Sequence, residues 1–395
     1  MSVARKISKK FFGKNNNLPV IEKQLNHKLI DKNAINIIKT LNIKGFDAYL
    51  VGGCIRDILL GVKSKDFDIA TNATPKQIHK IFKRSRIIGR RFQIVHILFG
   101  RNDFIEVATF RDAENNTKMI KNDNTFGDIK TDAKRRDLTI NALYYNPLKG
   151  QIIDLENSLQ DIENKKIQLI GDANLRFSQD PVRILRAIRF SVKLDFKINS
   201  EVKKAIFENK HLLKNIPAAR FFEESLKLFH NTKSYQTFDA LNQFGVLQYL
   251  FPSVKDNGLI KIALKNTADR IKKNQGVSPA FVFAIFLYDD YLRILAKPQK
   301  GKKPHNIIKE DAANKTIINQ VKFVSIPKFI SEKVKNTWKL QDRLLDEKNQ
   351  ENPDLTKKIL QSRDFRMAYD FLVMLSNSTN PELKEAADFW KKIQK

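Results

Sequence analysis

Cysteine is nearly absent from this chain. Cys54 is the only one in 395 residues, so no internal disulfide can form, which fits a reducing compartment. Long apolar runs are missing too. The longest, AFVFAIFLY at 280–288, is far shorter than a membrane span and leads into Asp289 and Asp290. No membrane partner is expected. The opening residues, MSVARKISKKFFGKNNN, are basic and hold no apolar stretch of the secretory kind, so a cytoplasmic protein is expected. Residues 1–27 read as a basic arm, open between a nucleic-acid contact and a solvated tail. Acidic residues are the third scarcity: 43 Asp and Glu face 72 Lys and Arg, a net charge of +29. That excess predicts a polyanionic partner. Nucleic acid comes first, an anionic membrane surface second. What the chain does have is a core. Its hydrophobic content of 42% excludes a disordered tail and suffices for two or three domains.

Strand and helix signals alternate in the first third. Asp31 can cap a helix over 32–43, with Ile35, Ile38 and Leu41 on one face and Gly45 near its end. FDAYLV then reads as a strand entering a glycine pair. RFQIVHILF (91–99) and FIEVATF (104–110) read as two strands joined by a tight RND turn. Residues 111–130 look like an open polar loop. From about residue 175 apolar residues recur at helical spacing, as in FFEESLKLF, FDALNQFGVLQYLF, FVFAIFLY, VKNTWKLQDRLL and FRMAYDFLVML. The expected fold is an α/β head, a small mixed sheet with helices, followed by an all-helical remainder. KPQKGKKPH (297–305) carries four lysines and reads as a solvated surface loop ahead of a nucleic-acid contact.

The stretch VGGCIRDILLGVKSKDFDIA (51–70) carries the chemistry. In a strand, residues i and i+2 point to one side, so Asp66 and Asp68 would aim two carboxylates at one point, with Phe67 turned into the core. Two such charges stay ionised together most readily with a cation between them. Hard oxygen donors favour magnesium, with manganese as a second fit, and magnesium leaves positions open for phosphate oxygens. Such ions can activate a 3′-hydroxyl and steady a departing pyrophosphate. A bare D-x-D is also a common surface turn; context decides. Gly52 and Gly53 lie between a strand and a helix, where backbone N–H groups can approach a phosphate unobstructed. Arg56 adds a cation one turn later.

GGCIRD followed by KDFD resembles the head motif of the class II nucleotidyltransferases, which comprise the CCA-adding tRNA enzymes and the bacterial poly(A) polymerases. DAKRRDLTINALYY (132–145) resembles the family's R-R-D-F-T-I-N segment, which closes the nucleotide site. The resemblance implies that Asp137 belongs to the active site. FSQDPVRILRAIRF (177–190) resembles the E-D-x-x-R template motif, with Gln179 where the family has Glu. ARFFEESLKLF (219–229) resembles an R-x-x-x-E motif in which Arg220 and Glu224 would form an ion pair bracing the neck. GRRFQIVH, VSPAFVFAIF, SIPKFI and FRMAYDFLVML resemble the poly(A) polymerase branch. The resemblance implies a head over 28–170, a base-recognising neck over 171–235, and a helical body with an RNA-binding C-terminal region over 236–395. It also implies template-independent addition of AMP from ATP to RNA 3′ ends, in the service of RNA turnover. The partners would be ATP and RNA, for a monomer in contact with RNA-decay proteins. The alternatives are a CCA-adding enzyme and, from another class, a silent RNA-binding protein that kept the fold. The intact D-x-D argues against the silent one, because binding an anion gains nothing from two bare carboxylates.

Asp180 and Arg183 are three apart on a predicted helix and share a face. A carboxylate that accepts and a guanidinium that donates match the pairing edge of adenine, but cytosine presents the same pattern. Guanine and uracil would leave buried groups unpaired, at about 1–3 kcal/mol each. The pair alone therefore does not separate ATP from CTP. Asp180 before Pro181 also reads as a helix cap. Arg135 and Arg136 are candidates for the triphosphate or sugar. Glu106 either lies by the metal site or pairs with Arg90 or Arg91. His96 reads as a packed, hydrogen-bonded residue.

Overall fold

The computed structural model describes residues 18–90, 93–101, 103–112, 126–298 and 304–394. Residues 1–17 of the basic arm, Arg91, most of the polar loop (113–125) and the lysines of 299–303 lie outside them. The chain forms two compact units, one drawn from Met1–Arg183 and Leu194–Ala205, the other from Ile184–Lys193 and Ile206–Lys395.

The first unit is built on a sheet of β1 (Val20–Glu22), β2 (Ala48–Val51), β3 (Asp68–Thr71), β4 (Ser85–Ile88), β5 (Ile94–Leu98), β6 (Phe104–Thr109), β7 (Leu143–Asn146) and β8 (Gln151–Asp154). The order is β1-β8-β7-β2-β3-β6-β5-β4, and β3 with β6 is its parallel pair. Part of the expected arm is thus an edge strand, with Ile21 opposite Ile152. The unit also holds α1 (Lys32–Ile43), α2 (Gly53–Leu59), α3 (Pro75–Ile81), α4 (Ile129–Arg135), α5 (Ser158–Glu163) and α6 (Ala173–Gln179). Asp31 caps α1 as expected, its carboxylate accepting from the Asn33 amide at 2.6 Å. The buried face is Ala34, Ile37, Ile38 and Leu41; Ile35 stays half-buried. Short strands β9 (Lys166–Ile167) and β10 (Lys197–Ile198) pair in parallel, an interruption the helical pattern did not announce. α4 packs on the sheet through Ile129 and Ala133, against Val51, Tyr144 and Ile153. That contact fixes where its polar side points.

α7 (Val182–Leu194) and α8 (Ser200–Asn209) each contribute to both units. The second unit continues with α9 (Ala218–Phe229), α10 (Ser234–Gln243), α11 (Gly258–Lys272), α12 (Pro279–Phe286), α13 (Tyr288–Leu295), α14 (His305–Val321), α15 (Lys328–Leu345), α16 (Glu347–Glu351), α17 (Pro353–Leu360), α18 (Phe365–Ser376) and α19 (Lys384–Ile393). α12 is apolar all round and wholly buried from Ala280 to Phe286, as a central helix must be. Phe286 meets Phe229 at 4.9 Å and Phe251 at 5.0 Å, edge to face. A further cluster gathers Leu344, Ile359, Phe365, Leu372 and Trp390. The Trp390 indole donates to the Leu344 carbonyl at 2.7 Å. Buried Glu224 pairs with Lys227 at 3.1 Å. Among the described residues no helix is long and apolar enough to cross a membrane.

Candidate active site

β2 ends at Val51, and the chain turns into α2 through Gly52, which caps the helix at φ +80 and ψ −133. That conformation suits glycine alone. A side chain there would also sit 3.5 Å from Nη1 of Arg136. Gly53 leaves similar room, its missing Cβ falling 3.3 Å from Nη2 of Arg56. Arg56 itself is only 2% exposed. Its guanidinium donates to Asp57 at 2.9 and 2.6 Å and to the Asn141 side chain. The expected phosphate-facing cation is instead a brace beneath the glycine turn. Helix α2 turns it inward, and Asp57 and Asn141 satisfy it there.

β3 begins at Asp68, so Asp66 precedes the strand rather than lying in it. The exposed, buried, exposed order of Asp66, Phe67 and Asp68 still leaves both carboxylates outside and the ring in the core. The Ser64 hydroxyl, donating to the Asp66 carbonyl at 2.9 Å, steadies the lead-in. Asp68 stands opposite Val51 on one side and opposite Glu106 on the other. Strand pairing therefore brings together the glycine turn, the D-x-D and a third carboxylate. Loss of hydration among the neighbouring groups, then the charges of Glu106 and Asp66, push the Asp68 carboxyl up to about 6, against the pull of Arg136. Burial also raises Glu106, with Arg111 opposing. Glu106 lies 3.8 Å from His96, which stacks on Phe104 at 4.1 Å and is held below the usual histidine range by burial. The observed neighbours of Glu106 are Asp68, His96 and Arg111. Among the described residues no three or more His, Cys, Asp or Glu side chains form a metal-holding group. Two carboxylates crowded by a third are nevertheless a donor set that fits a hard divalent cation completing its shell with phosphate oxygens and water.

The arginines answer to a residue that motif reading passed over. Asp132 on α4 has a side chain 4% exposed. It accepts from Arg135 Nε at 3.0 Å, Arg136 Nη2 at 3.0 Å and the Tyr144 hydroxyl at 2.6 Å. Arg136 Nε donates in turn to the Tyr144 hydroxyl at 3.2 Å. Arg136 is thus fixed from behind while its charge acts on Asp68. The spacing of Asp132 three and four residues before the two arginines was the available signal.

Arg176, on α6, is the second missed residue. Its Nη2 donates to the main-chain oxygens of Arg135, at 2.8 Å, and of Arg136. Its Nη1 lies 3.4 Å from Oε1 of Gln179. Arg183 Nη1 donates to the Arg176 carbonyl at 2.8 Å and lies 3.5 Å from Gln179 Oε1. Gln179 thus accepts from two guanidiniums. Asp180 does not share a helix face with Arg183. It is extended, at φ −150, in the joint between α6 and α7, and its carboxylate accepts from the Val182 amide at 3.2 Å. Pro181 drives the preceding residue out of helical geometry, and Asp180 makes the expected capping contact there. Asp137 follows α4; its carbonyl accepts from the Ile170 amide at 3.1 Å. The Asp137 charge acts on Arg176, whereas the groups acting on Asp68 are Glu106, Arg136 and Asp66.

Residues 48–168 match the family described as Poly A polymerase head domain. Residues 195–257 match "Probable RNA and SrmB- binding site of polymerase A", and 300–395 match "Polymerase A arginine-rich C-terminus". The chain is 39% identical to Poly(A) polymerase I of Haemophilus influenzae, across 92% of this chain and 84% of that one. A CCA-adding enzyme of Lactococcus lactis is 38% identical across 57% of each. The solved complex of a CCA-adding enzyme with ATP superposes with a TM-score of 0.62 at 22% identity, covering 93% of this chain and 84% of that one, and shares the fold.

Proposed function

The chain belongs to the poly(A) polymerase I family of nucleotidyltransferases, and from that membership we propose how its head performs the transfer. The protein is a polynucleotide adenylyltransferase, adding AMP from ATP to RNA 3′ ends and releasing pyrophosphate. The RNA 3′-oxygen attacks the α-phosphorus, and the bond from that phosphorus to the pyrophosphate oxygen breaks. Asp66 and Asp68 would hold a divalent cation, magnesium by the hardness of their oxygens, with manganese as a substitute. When bound, the cation supplies positive charge against the triphosphate and the entering and leaving oxygens. Glu106 deepens the negative field at Asp68, so that full ionisation of the cluster favours an occupied site. Arg136, held by Asp132 and Tyr144, offers its remaining donor capacity to the triphosphate beside Gly52, and Arg135 follows on the same segment. The Gly52–Gly53 turn gives a phosphate access to backbone N–H groups, with Arg56 bracing it. Asp180 and Arg183, tied to Gln179 and Arg176, would read the base, and Asp137 would support that end of the site through Arg176. The lone buried Cys54, which has no partner cysteine in the chain, fits a reducing cytoplasmic setting.

The observation that carries this reading is the registration of Asp68 beside Glu106, with Asp66 on the same open side and the glycine turn adjoining. Asp66→Asn and Asp68→Asn should each abolish AMP addition while leaving RNA binding and folding largely intact. Near-full activity in either variant would show that the carboxylates hold no essential ion.

A further inference from the structure

The second unit contains a cleft of about 170 Å³ between α11, the segment entering α12, α15 and the start of α18. It matches no element of the transfer chemistry above, which belongs to the first unit. Four cations line it, Arg270, Lys333, Arg363 and Arg366, against two carboxylates, Asp364 and Asp370. The carboxylates are already engaged. Asp370 accepts from Arg270 at 2.9 Å and pairs with Arg366 at 3.1 Å. Asp364 accepts from the Asn336 side chain at 2.8 Å. Among the described residues the ammonium of Lys333 and the guanidinium of Arg363 have neither a hydrogen bond nor an ion pair. Lys333 lies on α15 and Arg363 in the turn between α17 and α18, and both line one space. Phe281 and Met367, 6% and 8% exposed, supply an apolar wall, and the buried Thr267 hydroxyl makes no hydrogen bond.

Two uncommitted cations over an apolar wall suit an anionic group on an apolar body. A cavity of about 150 Å³ accommodates a benzene ring. This cleft therefore has room for one phosphate with part of its sugar. We propose that it grips a single phosphate of the RNA strand, Lys333 and Arg363 taking the charge and the ribose lying against Met367. The proposal rests on the adenylyltransferase reading for its choice of RNA. A free phosphate or nucleotide carries the same chemistry, and the test separates these sources. Arg270 and Arg366 hold Asp370 and serve as scaffold, while Lys333 and Arg363 are the ligand-facing pair.

The test is anisotropy titration of a labelled oligo(A) against intact protein at several salt concentrations. The double variant Lys333→Gln/Arg363→Gln is compared with wild type and with Lys348→Gln/Lys357→Gln, which removes equal charge from exposed positions of the same unit. The cleft variant should bind about tenfold more weakly, with a salt slope smaller by about 1, the loss expected for one phosphate contact. Its KM for ATP and its rate at saturating RNA should match wild type. Inorganic phosphate and ATP should displace the oligonucleotide no better from wild type than from the cleft variant. Equal losses in both double variants would overturn the proposal, as would displacement by ATP or phosphate that depends on the cleft pair. An inactive wild type whose RNA binding still depends on Lys333 and Arg363 would refute the adenylyltransferase reading and leave the cleft standing.

Discussion

Asp132 shows how one buried charge can set two exposed ones. Burial by itself would raise its carboxyl, but Arg136, Arg135 and the Tyr144 hydroxyl outweigh that and hold it below the usual carboxylate range. A carboxylate depressed in this way contributes stability in full above its unfolded value, about 3.9, and the contribution is lost as pH falls through the folded value. Asp132→Asn should therefore cost on the order of 3 kcal/mol at neutral pH, because Arg136 loses its buried partner. The difference from wild type should shrink on acidification below about pH 4. Urea unfolding at pH 7 and pH 3 reads both quantities, and an unchanged difference between the two would remove Asp132 as the anchor. Activity at pH 7 should fall too, since Arg136 would no longer be aimed at the site. Burial explains why residues of this kind elude a sequence reading. Arg56 and Asp132 look like surface charges until the fold shows what encloses them, whereas Asp66 and Asp68 announce themselves by repelling each other.

Elements divide along a similar line. Amphipathic spacing revealed α1, α9, α15 and α18, because a helix that buries one face must write that face into its sequence. The strands β5 and β6 were readable for the same reason, and β2 by the glycine pair that ends it. β7 was not: all four of its residues are buried, so no alternation marks it as a strand. The adjacency of β3 and β6, on which the place of Glu106 depends, joins segments far apart in sequence and follows only from sheet order. The joint between α4 and α6 is equally hidden, and Arg176 makes it by holding two consecutive main-chain oxygens. Lysine has one compact ammonium where arginine has a planar fork, so Arg176→Lys should not restore that grip. Both Arg176→Ala and Arg176→Lys are expected to lower kcat/KM for ATP by about tenfold to a hundredfold, through displacement of Arg135 and Arg136. They should also change the ratio of ATP to CTP use, because Gln179 and Arg183 lean on the same residue. Variants that melt like wild type and keep both its rate and its base preference would mean that the contact is incidental.

The choice of nucleotide belongs to the whole molecule, because the base-reading pair alone does not decide it. Asp180 and Arg183 suit adenine and cytosine alike. Gln179 brings no charge to sharpen the choice, since its side chain is occupied by Arg176 and Arg183. Sequence similarity, unlike the shared fold, divides the two activities by length: Poly(A) polymerase I relatives match across 92% to 95% of this chain, and CCA-adding relatives across 52% to 66%. A CCA-adding enzyme must stop after three nucleotides, which requires a surface that measures the tRNA acceptor end. A polymerase needs only a basic surface on which the lengthening strand can slip, and a net charge of +29 is well suited to that. Purified protein with magnesium, a short unstructured RNA and ATP should therefore give long tails that do not end at a fixed length. CTP should be incorporated poorly on the same primer. A tRNA lacking its CCA end should be no better a substrate than the plain RNA, and any addition to it should pass the third position. Gel separation of the products reads all three outcomes at once. CTP addition that halts at CCA on the tRNA, with no tail on the plain RNA, would mean that the C-terminal half measures rather than slides.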